Sequence, residues 1–206
     1  MKRPMALWLA DAPLILASQS KTRAMLLNAA GVPVKADPAD LDERGLEARA
    51  RLESAAAVAA LLAREKAIAV AGKHGGSLTL GADQTLSLGA ERLTKPHDRD
   101  AAQIQLRALC GRTHELHSAI SFVQHDAVLF EHVGVVRLTM RNFSERFLEL
   151  YLEAAGESVT ASVGAYQLEG LGMQLFERID GDYFTVLGLP LVEALEFLRR
   201  FGCLAR

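Results

Sequence analysis

The chain has 206 residues, of which 50% are apolar and 23% are charged, the composition of an ordinary compact globular domain. Its formal charge of −2 at pH 7 gives no field that would concentrate a polyanion or an acidic membrane surface, so we expect neither a nucleic-acid nor a membrane partner. The two cysteines, Cys110 and Cys203, form no CxxC pair and no zinc-type cluster, which favours a reducing, cytoplasmic location.

The N-terminus has a superficial likeness to a secretory signal, because Lys2 and Arg3 precede a short apolar run at residues 5–10. Asp11 and Pro13 interrupt that run before it reaches the length of a signal core. We therefore interpret residues 1–12 as an N-terminal extension of a single domain that spans residues 1–206. No stretch of the sequence approaches the length that a membrane span requires.

The first part of the chain predicts alternating strands and helices. A buried strand at residues 14–17 leads through a polar turn into a helix at 21–30. A short strand at 32–35 and an acidic loop at 37–43 precede one long helix at 48–70, which is rich in alanine and leucine. A strand at 78–83 then places Asp83 at its carboxyl end, where open α/β sheets usually build their sites.

The second part predicts a hairpin between helices. The predicted elements are a helix at 98–108, strands at 113–124 and 128–140, a helix at 144–155, strand-like pieces at 174–179 and 183–186, and a terminal helix at 190–201. This order indicates the α/β class, with a mixed twisted sheet flanked by helices. Two lobes around a central cleft would fit the pattern, although periodicity alone does not establish them.

Four polar groups of residues fall where such a fold exposes them. They are Ser18-Gln-Ser-Lys-Thr-Arg23, Arg64-Glu-Lys66, Asp83-Gln84 and Lys95-Pro96. Their cations and hydroxyls suit phosphate oxygens, and a carboxylate suits a hard metal ion or a water molecule. The first group lies at a strand-to-helix turn, where free backbone N–H groups also receive anions. Each group also has an ordinary structural interpretation, as a helix cap, a solvated helix face or a buried hydrogen-bonded acid.

Several other kinds of site have no support in the sequence. The chain contains neither the GxxxxGK[ST] nor the GxGxxG phosphate loop, and no serine or cysteine stands in a GxSxG elbow. His114 and His117 are three residues apart in a predicted strand, which sends their side chains to opposite faces and makes a shared metal improbable.

In their order and spacing, these and neighbouring segments resemble the Maf family of nucleotide pyrophosphatases, from about Leu14 to the terminal helix. The segments that carry the resemblance are Leu16-Ala-Ser-Gln-Ser20, Asp40-Leu-Asp-Glu43, Leu62-Ala-Arg-Glu-Lys-Ala67, Gly81-Ala-Asp-Gln84, Lys95-Pro96, Gly111-Arg-Thr-His114, Gly164-Ala-Tyr-Gln-Leu-Glu-Gly-Leu-Gly172 and Val186-Leu-Gly-Leu-Pro190. No single segment is specific, whereas their succession along the chain is.

The resemblance implies an elongated Maf/ITPase-like fold with a central cleft, often dimeric. It also implies hydrolysis of a nucleoside triphosphate between its α- and β-phosphates with help from a divalent ion, Mg²⁺ or Mn²⁺. By the same resemblance Asp83 is the expected catalytic base, and Glu43 with Asp83 is expected to hold the metal. The expected substrate-binding residues are Ser18, Ser20, Lys21, Arg23, Lys66 and Lys95.

The residues that resemble the family's specificity positions are Thr22, Gln84 and Glu169. The usual Ser-Pro-Arg-Arg element is here Ser20-Lys-Thr-Arg23, so its proline and first arginine are missing. Gln84 and Glu169 look more like the 7-methyl-GTP-preferring subgroup than like the dTTP and UTP hydrolases, yet the aromatic-containing arginine element of that subgroup is absent. The preferred base therefore stays open, with a broad specificity as the default.

The altered Ser20-Lys-Thr-Arg23 element also motivates an alternative from another class. In that interpretation the chain is a catalytically weak, nucleotide-binding regulator of cell division. A third interpretation, a purely structural interaction protein, requires Lys66, Asp83 and Lys95 to be scattered over the surface.

Overall fold

The computed structural model describes residues 7–206. Its strands and helices, in chain order, are β1 Leu14–Ala17, α1 Lys21–Ala29, β2 Val34–Ala36, α2 Glu43–Ala50, α3 Ala55–Ala71, β3 Thr79–Leu88, β4 Glu91–Leu93, α4 Arg99–Leu109, β5 Thr113–Gln124, β6 Ala127–Met140, α5 Glu145–Ala155, β7 Phe176–Asp180, α6 Tyr183–Val186 and α7 Leu191–Phe201. Three short 3₁₀ segments lie between α5 and β7. The start of the signal-like segment, residues 1–6, lies outside the described residues.

The strands form one mixed sheet in the order β2-β1-β3-β5-β6-β7, with β4 paired to β3. β1 runs parallel to β2 and to β3, whereas the β3 with β4 and the β6 with β7 pairs are antiparallel. The predicted mixed α/β class is therefore confirmed. The central cleft and the single-domain boundary remain predictions. None of the helices in residues 7–206 combines the length and the hydropathy needed to cross a bilayer.

The described chain divides into two compact units, and the first holds residues up to Asp83, Ser118–Gly134 and Gly188–Arg206. β1 is buried along its whole length, as its four apolar residues predict. α3 packs through small side chains, with Ala59 and Ala63 beside Ala119 of β5. Because alanines keep the backbone of α3 close to the sheet, a side chain from the middle of this helix reaches Asp83 within β3.

The second unit holds residues Gln84–His117 and Val135–Leu187. Its core is built from aliphatic side chains of β3, β5, β6, α4 and α5, with Leu106 and Leu138 fully buried. In α4 the buried positions Ala102, Leu106 and Leu109 recur at helical spacing, and the Asp98 side chain caps the helix where the sequence predicts its start. Each such leucine contributes about 1.5–3 kcal/mol by leaving water.

The prediction of one long helix at residues 48–70 is wrong. α2 already begins at Glu43, because the side chain of Asp42 accepts a hydrogen bond from the Gly45 N–H and caps it. Arg51 then adopts a left-handed conformation with φ 49°, and Ser54 caps α3 by accepting from the Ala57 N–H. The left-handed Arg51 and the Ser54 cap therefore divide the alanine-rich run into two helices.

Two further predictions need correction. Asp83 does not end its strand, since β3 continues to Leu88 and pairs there with β4. Its pairing with β1 stops at Gly81, however, so Asp83 does lie just beyond the last parallel pair. Residues 183–186 form the short helix α6 rather than a strand, because the Asp182 carboxylate accepts hydrogen bonds from the N–H and the hydroxyl of Thr185.

Candidate active site

A partly buried arginine, Arg23, joins the end of β1 to two distant stretches of the first unit. The Nε of Arg23 donates to the carbonyl of Gly188 at 2.8 Å, and its Nη1 donates to the carbonyl of Ala82 at 2.9 Å and to Ser18 Oγ at 3.0 Å. Ser20 caps α1 by accepting from the Arg23 N–H. The Nη2 of Arg23 makes no hydrogen bond within residues 7–206, so one edge of its guanidinium is left for an anion.

Lys66 of α3 brings two carboxylates together in the same unit. Its Nζ lies 2.6 Å from Asp83 Oδ1 and 2.9 Å from Glu43 Oε1. The side chains of Lys66 and Asp83 are each 13% exposed, whereas that of Glu43 is 46% exposed. Lys66 therefore lies between an enclosed acid and an accessible one.

The charges of this cluster act on one another through a largely buried environment. Burial raises the pKa of the Asp83 carboxyl, and the Lys66 ammonium and the Arg23 guanidinium oppose that rise. Burial also lowers the pKa of Arg23, while Asp83 and Glu43 raise it. A carboxylate with a raised pKa is a better proton acceptor, and the two cations beside it suit a polyanionic ligand.

Two glycines make this packing possible, and sequence reasoning gave neither of them a role. A Cβ on Gly81 would lie 2.0 Å from the carbonyl oxygen of Ala63, so only glycine lets α3 approach β3 this closely. Gly188 adopts φ 88°, and a Cβ there would lie 3.3 Å from Arg23 Nη2. Both glycines stand inside the segments that carry the family resemblance, which was the available signal.

The comparisons with known proteins agree with one another. A family model described as Maf-like protein matches residues 13–201. The chain belongs to the Maf family. It is 53% identical over 201 residues to a nucleoside triphosphate pyrophosphatase of Rhodopseudomonas palustris, covering 98% of this chain and 100% of that protein. It is 55% identical over 195 residues to one of Bradyrhizobium diazoefficiens, covering 95% and 96%.

A third Maf relative differs in the substrate that its name gives. The chain is 47% identical over 194 residues to a 7-methyl-GTP pyrophosphatase of Brucella abortus, covering 93% of this chain and 97% of that protein. Among solved structures, a HAM1 protein from Coxiella burnetii matches at TM-score 0.44 and 19% identity over 62% of this chain and 72% of that one. This structural likeness is too weak to bear on the function of the Maf chain.

Glu43 and Asp83, the expected metal ligands of this Maf chain, fit a divalent cation in their chemistry. Because both contact one ammonium nitrogen, their carboxylate oxygens are close neighbours. Asp83 Oδ2 accepts no hydrogen bond within residues 7–206. No group of three or more His, Cys, Asp or Glu that suits a metal occurs in the described chain. Mg²⁺ binds through one or two carboxylates and completes its shell with water and phosphate oxygens, so two acids are enough.

The other residues expected from the Maf resemblance lie in different places. Lys21 is an exposed residue in the first turn of α1 and Thr22 is half-buried beside it. Lys95, Gln84 and Glu169 all belong to the second unit. Lys95 is exposed in the loop between β4 and α4, and Glu169 is exposed in the turn that precedes a 3₁₀ segment.

Gln84 has a defined place in that unit. Its side-chain amide donates to the carbonyls of Thr185 and Val186 at 3.2 and 3.0 Å. In the first unit, by contrast, the structure brings six of the expected residues into one cluster: Ser18, Ser20, Arg23, Glu43, Lys66 and Asp83. The contact between Lys66 and Asp83 contradicts a scattered arrangement for these two residues, whereas no contact joins the exposed Lys95 to them within residues 7–206.

The first unit also carries an open groove of about 460 Å³ that none of the expected site residues lines. Its walls come from β6 and α7, with Phe130, Phe197 and Phe201 among the lining side chains. Phe197 stacks on both other rings, at centroid distances of 5.1 and 5.4 Å. The charged side chains of Glu193, Glu196 and Arg200 also line this groove, which shares no residue with the polar cluster.

Proposed function

We propose that this chain hydrolyses nucleoside triphosphates between the α- and β-phosphates, giving a nucleoside monophosphate and pyrophosphate. The observation that carries the proposal is the enclosed Asp83 carboxylate, which Lys66 holds at 2.6 Å beside the Arg23 guanidinium. The relatives named nucleoside triphosphate pyrophosphatase, which match nearly the whole chain, support the same reaction. The chain is accordingly a hydrolase that acts on an acid anhydride.

In the proposed binding step, the triphosphate meets fixed and movable cations. Arg23 is fixed by its hydrogen bonds to two carbonyls and to Ser18, and its free Nη2 edge is offered to a phosphate oxygen. Lys66 is movable, because its three N–H donors can exchange a carboxylate partner for a phosphate oxygen. Lys21 and Lys95, both exposed, are the further phosphate-binding cations that we propose.

In the proposed chemical step, Asp83 accepts a proton from a water molecule that attacks the α-phosphorus. The bond from that phosphorus to the bridging oxygen breaks, and pyrophosphate leaves with the electron pair. Lys66 and Arg23 stabilise the charge that builds on the phosphate oxygens. Glu43 and Asp83 would hold a divalent cation, which would supply further positive charge there. No covalent intermediate with the protein is needed.

We further propose that Thr22, Gln84 and Glu169 set the base preference. A carboxylate at Glu169 can accept hydrogen bonds from a guanine edge, and its negative charge favours a methylated, positively charged base. The relative named 7-methyl-GTP pyrophosphatase supports including that nucleotide among the first substrates. A cytoplasmic location, a homodimer and the absence of a nucleic-acid partner remain our predictions. The two free thiols are consistent with a cytoplasmic location. The charge of −2 is consistent with the absence of a nucleic-acid partner.

The test is pyrophosphate release by the purified protein with Mg²⁺ or Mn²⁺, across the common nucleoside triphosphates, dTTP and 7-methyl-GTP. We expect turnover by the wild type and a loss of about 10²–10⁴-fold in kcat for Asp83→Asn, because a positioned general base contributes that much. A thermal unfolding curve checks that the variant is folded. A folded Asp83→Asn protein with wild-type kcat would contradict the assignment of the base. Nucleotide binding without any pyrophosphate release by the wild type would favour the regulator of cell division instead.

A further inference from the structure

A strained segment of the second unit precedes Glu169. Gly164 has φ 80°, and the next residue, Ala165, has φ 60°, which is the left-handed region that a side chain with a Cβ rarely adopts. Both residues are buried. Strain of this kind persists only where the surroundings fix the backbone, and it concentrates where a protein positions a ligand or a reacting group.

Hydrogen bonds from three different elements fix this segment. The Tyr151 hydroxyl of α5 donates to the Ala165 carbonyl at 3.2 Å. The Gly164 N–H donates to Gln105 Oε1 of α4 at 2.8 Å. His114 of β5 contacts the Tyr166 hydroxyl through its Nε2 at 2.8 Å. The segment is therefore held by hydrogen bonds at three consecutive residues.

The anchor between His114 and Tyr166 is buried on every side. His114 is 1% exposed and Tyr166 is 5% exposed, and both rings pack against Phe176 at centroid distances of 6.0 and 4.8 Å. Burial lowers the pKa of His114 to about 4, so the imidazole is neutral near pH 7. Its Nδ1 is buried and has no hydrogen-bond partner in the described residues. Of the two ring nitrogens, only Nε2 is therefore hydrogen-bonded, to the Tyr166 hydroxyl.

The segment leads directly into the turn that carries Glu169. The Gly170 N–H donates to the Gln167 carbonyl at 3.2 Å, and the Met173 N–H donates to the Gly170 carbonyl at 3.3 Å, so residues 167–173 fold back on themselves. Tyr166 is the last buried aromatic residue before this turn, and Glu169 is exposed within it. A fixed Tyr166 therefore fixes the position from which the Glu169 turn starts.

We propose that His114 and Tyr166 are positioning residues for base selection, because their buried hydrogen bond holds the strained segment that presents the Glu169 turn to the base. The proposal rests on the proposed function. Neither residue touches the nucleotide. They act by keeping the carboxylate of Glu169 in one place before the base arrives, which preserves the difference in binding between a base that can donate to it and one that cannot.

The experiment compares base selection in Tyr166→Phe and in the wild type. Pyrophosphate release gives kcat/KM for each nucleotide. The readout is the value for a guanine nucleotide, 7-methyl-GTP or GTP, divided by the value for UTP. In Tyr166→Phe we expect this ratio to lie about tenfold closer to one than it does in the wild type, because the turn loses its fixed starting point. A loss that is equal for all bases would show a structural role only and would overturn the proposal.

Two further variants separate positioning from stability. Ser87→Ala is the matched control, because it removes a hydroxyl from another buried histidine pair of the same unit, Ser87 Oγ with His117 Nε2 at 3.0 Å. We expect Ser87→Ala to lower the unfolding temperature and to leave the base ratio unchanged. The double variant His114→Leu with Tyr166→Phe replaces both polar partners by apolar groups, which relieves the unpaired imidazole. We expect it to recover stability relative to Tyr166→Phe while its base ratio stays near one. Recovery of both stability and the ratio would overturn the proposal.

A second measurement does not depend on catalysis. Amide hydrogen exchange of residues 162–173 should become faster in Tyr166→Phe and should be unchanged in Ser87→Ala. Unchanged exchange in Tyr166→Phe would overturn the positioning role even if the wild type is active. A wild type that releases no pyrophosphate, together with faster exchange in Tyr166→Phe, would refute the proposed function and leave the fixed turn supported.

Discussion

One methyl group added at Gly81 tests how α3 and β3 hold the candidate site. The new Cβ of Gly81→Ala would lie 2.0 Å from the Ala63 carbonyl oxygen and 2.7 Å from the Ala67 nitrogen. Carbon and oxygen atoms that are not bonded normally lie about 3.3–3.6 Å apart. The helix must therefore withdraw from the strand by roughly 1 Å or more.

That withdrawal has two consequences of estimable size. Overpacking a well-packed interior costs about 1–3 kcal/mol, so we expect the free energy of unfolding to fall by that amount. Lys66 lies on the withdrawing helix and Asp83 on the strand, so their contact of 2.6 Å should lengthen. A displacement of about 1 Å in a catalytic group can reduce a rate by about 100-fold, which is the loss in kcat that we expect.

Urea unfolding followed by circular dichroism measures the first effect, and pyrophosphate release at saturating nucleotide and Mg²⁺ measures the second. Gly72→Ala is the matched control at the end of the same helix, because Gly72 has a helical φ of −59° and nothing lies within 4 Å of an added Cβ. We expect Gly72→Ala to keep both the stability and the kcat of the wild type. If Gly81→Ala does the same, close packing of α3 on β3 does not position Lys66 and Asp83.

The other changes should each have a distinct effect. Arg23→Lys removes the planar fork that contacts two carbonyls and a hydroxyl, so we expect KM to rise by about tenfold or more. An unchanged KM would contradict the role of this fork in holding a substrate-binding guanidinium. Chelation by EDTA should abolish pyrophosphate release, and Glu43→Gln should raise the Mg²⁺ concentration for half-maximal rate, whereas an unchanged requirement would remove Glu43 from the metal site. Because burial lowers the pKa of His114 from 6.5 to about 4, its stabilising effect is complete above pH 6.5 and is lost as the pH falls toward 4. Between pH 7.5 and pH 5 this loss amounts to about 2 kcal/mol, which urea unfolding should detect in the wild type and find smaller in His114→Gln.

The candidate site was predictable to the extent that it follows from short segments of the chain. Ser20 as the cap of α1 was visible in a local pattern, whereas Asp83 was expected to end its strand and lies within β3, just beyond the last parallel pair. The carbonyls of Ala82 and Gly188 that hold Arg23 were not visible in such a pattern, because backbone acceptors carry no residue signature. Nor was the sharing of Lys66 between two acids, since Lys66 and Glu43 lie on two helices that the sequence pattern merged into one.

The elements with strong local signals were predicted almost to the residue, as with β1, α4, α5 and the hairpin of β5 and β6. A buried strand, an amphipathic stripe and a two-residue turn each need only neighbouring residues to be recognised. The failures came where a few polar contacts outweigh propensity, at the break before α3 and at the Asp182 cap of α6.

The sequence by itself determined the fold class, the family and the types of residue that the chemistry needs, because periodicity, capping residues and ordered motifs are properties of the chain. Only the tertiary structure decided which of these residues meet. Lys66 and Asp83 are 17 positions apart, and they touch because Gly81 lets α3 lie against β3. Arg23 and Gly188 are 165 positions apart, and the Nε of Arg23 donates to the Gly188 carbonyl only because the fold brings the two residues together. A charge distribution of this kind depends on distances through space, which local patterns do not contain.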